Sequence, residues 1–233
     1  MNPRKNITME KEGGENSFNT KDFHQSLVAW GRDNFRPFPW RLTKNPYFIL
    51  VSEVMLHRTR ALQVVPVYES FIQQYSNISL LSLATRDELR KTLYSLGLRW
   101  RIDSIYAMAL ELKTRFNEQV PREKLDLLSL PGVSSYIASA VRCFTWNFPE
   151  ALIDTNTVRI TGRLFGLEVK DSSRRNSVFK RSIESLIDFS QPRDYNYALL
   201  DLADRICTKR QIPDCLNCPV SAHCKYGSKV KDK

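Results

Sequence analysis

The sequence predicts an all-α protein, and three observations carry that expectation. Apolar residues recur at three- and four-residue spacing through most of the chain, which places them on one face of a 3.6-residue helix. Only eight glycines occur in 233 residues, and alternating runs rich in Val, Ile and Thr are scarce. Helix-start signals also precede the periodic stretches: Asn19 or Thr20, Thr85 with Glu88 three residues on as a capping box, and Asp154.

In chain order the predicted helices cover about 21–34, 48–60, 62–75, 86–95, 99–116, 123–129, 135–147, 155–165, 175–188 and 195–206. Their connections are short and carry Pro or Gly, as at Pro37, Pro39, Gly97, Pro121, Pro131-Gly132, Pro149 and Pro192. No repeat of fixed period is evident, and low complexity is confined to the two ends. Residues 1–17 are polar and are expected to form a disordered tail, and residues 227–233 a basic one. The tail lacks both the apolar stretch of a secretory signal and the Arg-rich pattern of an import peptide, so a cytoplasmic, nucleoid-associated protein is expected.

No apolar run approaches the roughly 18 residues that a membrane span needs. Lys and Arg outnumber Asp and Glu by 35 to 25, for a formal charge of +10 and a pI near 9.5. That balance favours polyanions through release of their counterions, although a solvated basic surface accounts for it equally well.

Four of the five cysteines crowd together as Cys207, Cys215, Cys218 and Cys224, a C-x7-C-x2-C-x5-C run able to bring four thiolates to one metal centre. Disulfides are the alternative, disfavoured by a reducing compartment, and zinc competes with an iron-sulfur cluster on spacing alone. Lys209, Arg210 and Lys225 flank or lie within this run, where they would offset a negative cluster, meet DNA phosphates or simply solubilise the loop. Cys143 sits in an apolar helical stretch and reads as core.

Leu130-Pro131-Gly132-Val133 turns between two predicted helices, and its glycine is free to take positive φ and present bare N–H groups at the next helix start. Any helical hairpin can turn on Pro-Gly, so the motif gains weight only from the residues downstream of it. Twenty-two residues beyond Gly132, Ile153-Asp154-Thr155-Asn156-Thr157-Val158-Arg159-Ile160 sets an acid at a helix start with apolar neighbours. Asp154 there serves as an N-cap, as a carboxylate facing a substrate cavity, or as both.

The hairpin, the I-D-T-N-T-V-R-I acid and the four-cysteine loop, in this order, resemble the endonuclease III/MutY superfamily of base-excision glycosylases over about Phe23 to Cys224. Phe38-Pro39-Trp40-Arg41, Asn45-Pro46-Tyr47 and Ser52-Glu53-Val54-Met55-Leu56 resemble the MutY and thymine-mismatch branches. Leu56-His57-Arg58-Thr59 and Tyr136 are similar to the archaeal thymine-DNA mismatch glycosylases. Bifunctional relatives have a lysine at the position of Tyr136, and MutY has a serine. Two departures stand out: Ser134 replaces the hairpin's second glycine, and the first cysteine spacing is x7 rather than x6.

The resemblance implies two helical domains. A six-helix barrel over 46–148 would contain the helix-hairpin-helix, and a second domain would combine 18–45 with 149–226 around a [4Fe-4S] cluster on Cys207, Cys215, Cys218 and Cys224. It implies Asp154 as the carboxylate that stabilises a sugar cation, Glu53 as the acid that manages leaving base and water, and Tyr136 as a pocket wall unable to form a Schiff base. Arg58 is implied as the side chain that enters the base stack, with His57 beside it, a phosphate contact being the competing role. Leu98-Arg99-Trp100-Arg101 combines charge with an aromatic and reads as a DNA-facing turn, which makes Arg99 and Arg101 candidate DNA contacts. Gly132, Val133, Ser134 and Asn156 complete the candidate DNA-binding set.

The expected function is base release without strand cleavage from duplex DNA in which thymine or uracil opposes guanine, by a monomer and with no membrane partner. Adenine removal opposite guanine or 8-oxoguanine is the runner-up, and the chain's end just after Cys224, where MutY enzymes continue into a further domain, is expected to count against it. A helix-hairpin-helix binding protein without catalysis and a zinc-stabilised helical transcription factor are alternatives from other classes.

Overall fold

The computed structural model describes residues 18–97, 99–209 and 212–231, with the side chains of Arg99 and Lys231 lying outside the described set. Among the described residues all regular structure is helical. The helices are α1 (Thr20–Asp33), α2 (Pro46–Leu56), α3 (Ala61–Gln74), α4 (Ile78–Leu83), α5 (Arg86–Leu93), α6 (Arg99–Arg115), α7 (Lys124–Ser129), α8 (Ser135–Trp146), α9 (Thr155–Phe165), α10 (Ser177–Ser185), α11 (Pro192–Arg205) and α12 (Lys225–Lys231). None is long and apolar enough to cross a membrane.

The three expected caps form. Asn19 accepts from the Asp22 amide, Thr85 and Glu88 make a reciprocal capping box, and Asp154 caps α9. Three boundaries differ from expectation. α2 stops at Leu56 instead of continuing to residue 60, because Arg58 adopts φ +61°, which no right-handed helix contains. α4 and α12 were not expected: six and seven residues give the apolar period too few repeats to register. The predicted tail therefore continues as helix to Lys231, while residues 1–17 lie outside the described set.

Two main apolar cores hold the helices. In the first, Ile49, Leu50 and Val54 of α2 pack with Phe71, Ile105, Ala140 and Phe144, and Cys143 is buried there as expected. In the second, Phe23 and Leu27 of α1 meet Leu164 of α9 and Leu199 and Leu202 of α11. Removing all but Cβ from a buried Phe such as Phe144 costs about 3–5 kcal/mol, so either core tolerates few truncations. α1 lies so close to α11 that a Cβ at Gly31 would come within 2.4 Å of the Ala198 Cβ. α11 also reaches the first core through Tyr197, whose ring stacks on Phe144 at 4.1 Å. That bridging places a cavity beside α2, α8, α9 and α11.

Candidate active site and DNA interface

Asp154, Glu53 and Tyr136 line one cavity of about 630 Å³. Asp154 holds its place through the α9 N-terminus. Its Oδ1 accepts from the Asn156 and Thr157 amides, each at 2.8 Å, and its Oδ2 accepts from the Asn156 side-chain amide at 2.8 Å. Its own N–H donates to the Thr157 hydroxyl at 3.0 Å. The cap and the cavity carboxylate are thus one residue, and the donors that complete the helix also fix the rotamer. Asn156 lines the cavity and braces the acid: its side-chain amide donates to Asp154 and its carbonyl accepts from Arg159.

Glu53 projects from α2 and is 5% exposed. Burial raises its carboxyl to about 7; the Arg41 guanidinium opposes that rise, and the negative charge of Asp154 adds to it. Near neutral pH it therefore holds a proton much of the time, as an acid that must protonate a leaving group requires. Tyr136, on α8, has its phenol pushed well above the ordinary value by burial and then by Glu53 and Asp154, so it stays a neutral hydroxyl.

Arg41 has a role that the sequence reading did not assign. It is 6% exposed, it donates from one nitrogen to both Asp201 oxygens at 2.9 Å, and its guanidinium lies 4.6 Å from the Tyr197 ring centre. Arg36 also bonds the fully buried Asp201 and reaches Asp204 at 2.7 Å. These ion pairs tie the segment before α2 to α11 across the cavity wall. Phe38 and Trp40, stacked at 5.1 Å, and Tyr197 supply flat aromatic surface there. The F-P-W-R motif contained the signal for Arg41, whereas Tyr197 and Asp201 announce themselves only as an i, i+4 pair on a helix.

At the cavity mouth Arg58 is exposed. His57 is half-buried, with its ring edge-on to Trp100 at 5.3 Å and its Nδ1 buried without a partner. Burial, then Arg58 and Arg101, lower its pKa, so it carries no cation for a phosphate at neutral pH. Arg101 is also corrected. Expected to face DNA, it is fully buried and bonds the His57 carbonyl, the Thr59 hydroxyl and the Leu96 carbonyl. Charge beside an aromatic suggested surface, but α6 turns this side chain inward. Arg99 has its side chain outside the described residues. Arg174 and Arg175, unremarked in the sequence, are exposed and line the same cavity.

The hairpin separates its four candidates. Gly132 has φ +80°, and a Cβ there would lie 2.7 Å from the Ser104 Cβ, so both backbone and packing demand glycine. Val133 is corrected to a core residue, 8% exposed, with its N–H donating to the Leu130 carbonyl at 3.2 Å. Ser134 caps α8 by accepting from the Ile137 amide at 3.3 Å, which explains a serine where the resemblance expects glycine. The first-turn amides of Ser135 and Tyr136 have no helical acceptor and remain for a phosphate.

Cys207 and Cys215 are buried, and Cys218 and Cys224 half-buried. Arg163 of α9 donates to the Cys207 sulfur at 3.1 Å and accepts from Cys224 at 3.4 Å. Burial raises the Cys215, Cys218 and Cys224 thiols, Cys218 to about 12, and the negative charge of Cys207 raises all three further. Three raised thiols beside Cys207 suit a cationic centre placed among them. Among the described residues no group of three or more His, Cys, Asp or Glu side chains is placed to hold a single metal ion, and Arg210, within the loop, lies outside the described residues.

No family model matches the chain. It is 36% identical over 209 residues to a thymine-DNA glycosylase of Aeropyrum pernix, covering 86% of this chain and 92% of that protein. A thymine/uracil-DNA glycosylase of Methanothermobacter thermautotrophicus is 32% identical over 87% of this chain and 91% of its own length. An adenine DNA glycosylase of Buchnera aphidicola is 31% identical, but the chain spans only 58% of it. Among solved structures, a thermostable thymine-DNA glycosylase superposes with a TM-score of 0.80 at 30% identity, over 90% of this chain and 97% of that one. A trapped endonuclease III–DNA intermediate shares the fold, with a TM-score of 0.75 at 21% identity, over 92% of this chain and 100% of that one. With its helical fold and an acid, a carboxylate and a phenol in one cavity, the chain belongs to the thymine-DNA glycosylase family of helix-hairpin-helix glycosylases.

Proposed function

We propose that this protein hydrolyses the N-glycosidic bond of thymine or uracil opposite guanine and leaves the abasic strand intact. The observation that carries the reading is the pairing, in one aromatic-walled cavity, of a Glu53 that retains its proton up to about pH 7 with a donor-fixed Asp154 beside an un-ionised Tyr136. The target base must leave the stack to reach that cavity, and it leaves at least cost from a mispair. As the C1′–N bond breaks, its electron pair departs with the base and Glu53 delivers the proton. Asp154 stabilises the positive charge left on the sugar. Water then adds to C1′ and gives its proton to the Glu53 carboxylate, which restores the acid. No amine stands at the Tyr136 position, so no Schiff base forms and the strand is not cleaved.

The same reading assigns a [4Fe-4S] cluster to Cys207, Cys215, Cys218 and Cys224, where it would close the loop against α9 and supply positive charge among the four thiolates. A brown protein containing iron and acid-labile sulfide supports this assignment; a colourless one holding zinc overturns it.

End-labelled duplexes with T, U or A opposite G or 8-oxoguanine test the activity. Breaks that need alkali, at T or U opposite G, are expected. Breaks at A would favour the adenine-releasing reading that the Buchnera relative's name suggests, and breaks without alkali would overturn the monofunctional assignment.

A further inference from the structure

We propose that Arg101 is a positioning residue that holds Arg58 in its stack-entering conformation by gripping the chain on both sides of it. The inference rests on the mismatch-glycosylase reading and extends it to a residue that touches no DNA.

Arg58 is one of four non-glycine residues with positive φ among the described residues, at +61°, an arrangement that L side chains avoid. Such a conformation persists only where its surroundings enforce it. Here the enforcing groups lie on either side. Arg101 donates from one guanidinium nitrogen to the His57 carbonyl and, at 3.0 Å, to the Thr59 hydroxyl. The first contact sets the plane of the peptide joining residues 57 and 58, because that unit is rigid, and φ of Arg58 is measured from that plane. The second anchors the residue on the other side. Arg101's other terminal nitrogen reaches the Leu96 carbonyl at 3.4 Å, which ties in the turn that ends at Gly97, itself at φ +67°. The edge contact of His57 on Trp100 joins the same two turns a second time. One guanidinium thus couples the α2–α3 turn to the entrance of α6.

The chemistry of the site argues against a role in stability alone. Among the described residues no carboxylate stands within ion-pair distance of Arg101, whose charge meets neutral oxygens and, at 5.9 Å, the Trp100 ring, and whose Nε is buried without a partner. An unpaired buried cation is costly, and a methionine of similar bulk would serve a purely packing role better. What methionine lacks is the set of donors aimed at residues 57 and 59.

The test reads insertion apart from chemistry. Duplexes carry 2-aminopurine beside a G·T mispair, and its fluorescence at saturating protein reports unstacking whether or not a base is released. Arg101→Met should lose most of the fluorescence rise and slow single-turnover base release about 100-fold, as a misplaced group typically does, while Kd for the duplex changes less than about threefold. In an Arg58→Ala background the same substitution should add little, since the two act as one unit. Thr59→Val, which leaves the buried arginine in place, should reproduce part of the loss, and Arg101→Lys should recover part of it. Fluorescence unchanged by Arg101→Met, or losses that simply add to those of Arg58→Ala, would overturn the proposal. Wild-type unstacking without base release from any duplex would instead defeat the glycosylase reading and leave the clamp standing.

Discussion

Glu53 and Asp154 reach the same cavity from different helices, and the aspartate's charge helps keep the glutamic acid protonated, with Arg41 acting in the opposite sense. Two carboxyl groups of the same chemistry are thereby given different tasks by their surroundings. Burial dominates at Glu53, and amide donors surround Asp154.

The first prediction concerns pH. Base release should fall as pH rises through about 7, where Glu53 loses its proton, and the profile should flatten in Glu53→Gln at a much lower rate. Stability follows the same group. Its folded pKa exceeds its unfolded value, so its favourable contribution is complete below about 4.5 and is lost as pH rises through about 7. Glu53→Gln should therefore be more stable than wild type at pH 8, by up to about 3 kcal/mol. Denaturant unfolding at pH 5 and pH 8 checks the sign, and equal differences at both values would contradict it.

Asp154 separates its two roles by substitution. Asparagine caps helices as well as aspartate does, so Asp154→Asn should leave the melting temperature within a few degrees while base release falls by about 10³ or more. Asp154→Ala should lose activity and, in addition, about 1 kcal/mol of stability. Retained activity in Asp154→Asn, measured in single turnover, would return this residue to a cap and nothing more.

How much of this was legible in the sequence depends on the range of each interaction. Asn19, Thr85 with Glu88, and Asp154 cap their helices through neighbours within three residues, so periodicity and cap chemistry located those helices. The end of α2 was misplaced because the turn after Leu56 is held by Arg101, 44 residues from His57 in the chain. Arg101 itself was read as surface for the same reason: nothing local says that α6 points it at the carbonyl of another turn. Cys207 to Cys224 and the F-P-W-R segment stood out as motifs, yet the Arg41–Asp201 pair joins segments 160 residues apart and could only be found in three dimensions. Val133 reads as a DNA contact by motif membership, and its burial shows it to be core, a packing that no neighbouring residue announces.

A lysine placed at Tyr136 tests the absence of lyase chemistry. Tyr136→Lys would carry an amine into the cavity beside Glu53 and Asp154, which can form a Schiff base with the opened sugar. Strand breaks without alkali and a protein–DNA adduct trapped by borohydride are expected from the variant and from it alone. An adduct with the wild-type protein would point to another amine in reach.

Salt dependence distinguishes arginines that meet phosphates from those that build the protein. Arg174 and Arg175 are exposed, line the cavity and form no ion pair among the described residues, whereas Arg36 and Arg41 are committed to Asp201 and Asp204. A phosphate contact adds about 0.9 to the slope of log K against log salt on duplex DNA. Arg174→Ala and Arg175→Ala should each lower that slope by up to about one, for matched and mismatched duplexes alike. Arg41→Ala should leave the slope unchanged and instead destabilise the fold by about 1.5–3 kcal/mol, because it removes one of the two arginines that bond the buried Asp201 and leaves Arg36 as its remaining cationic partner. Filter binding between 50 and 300 mM salt decides the matter: an unchanged slope in the Arg174 and Arg175 variants would remove them from the DNA interface and leave the α8 amides as the phosphate-facing groups beside the cavity.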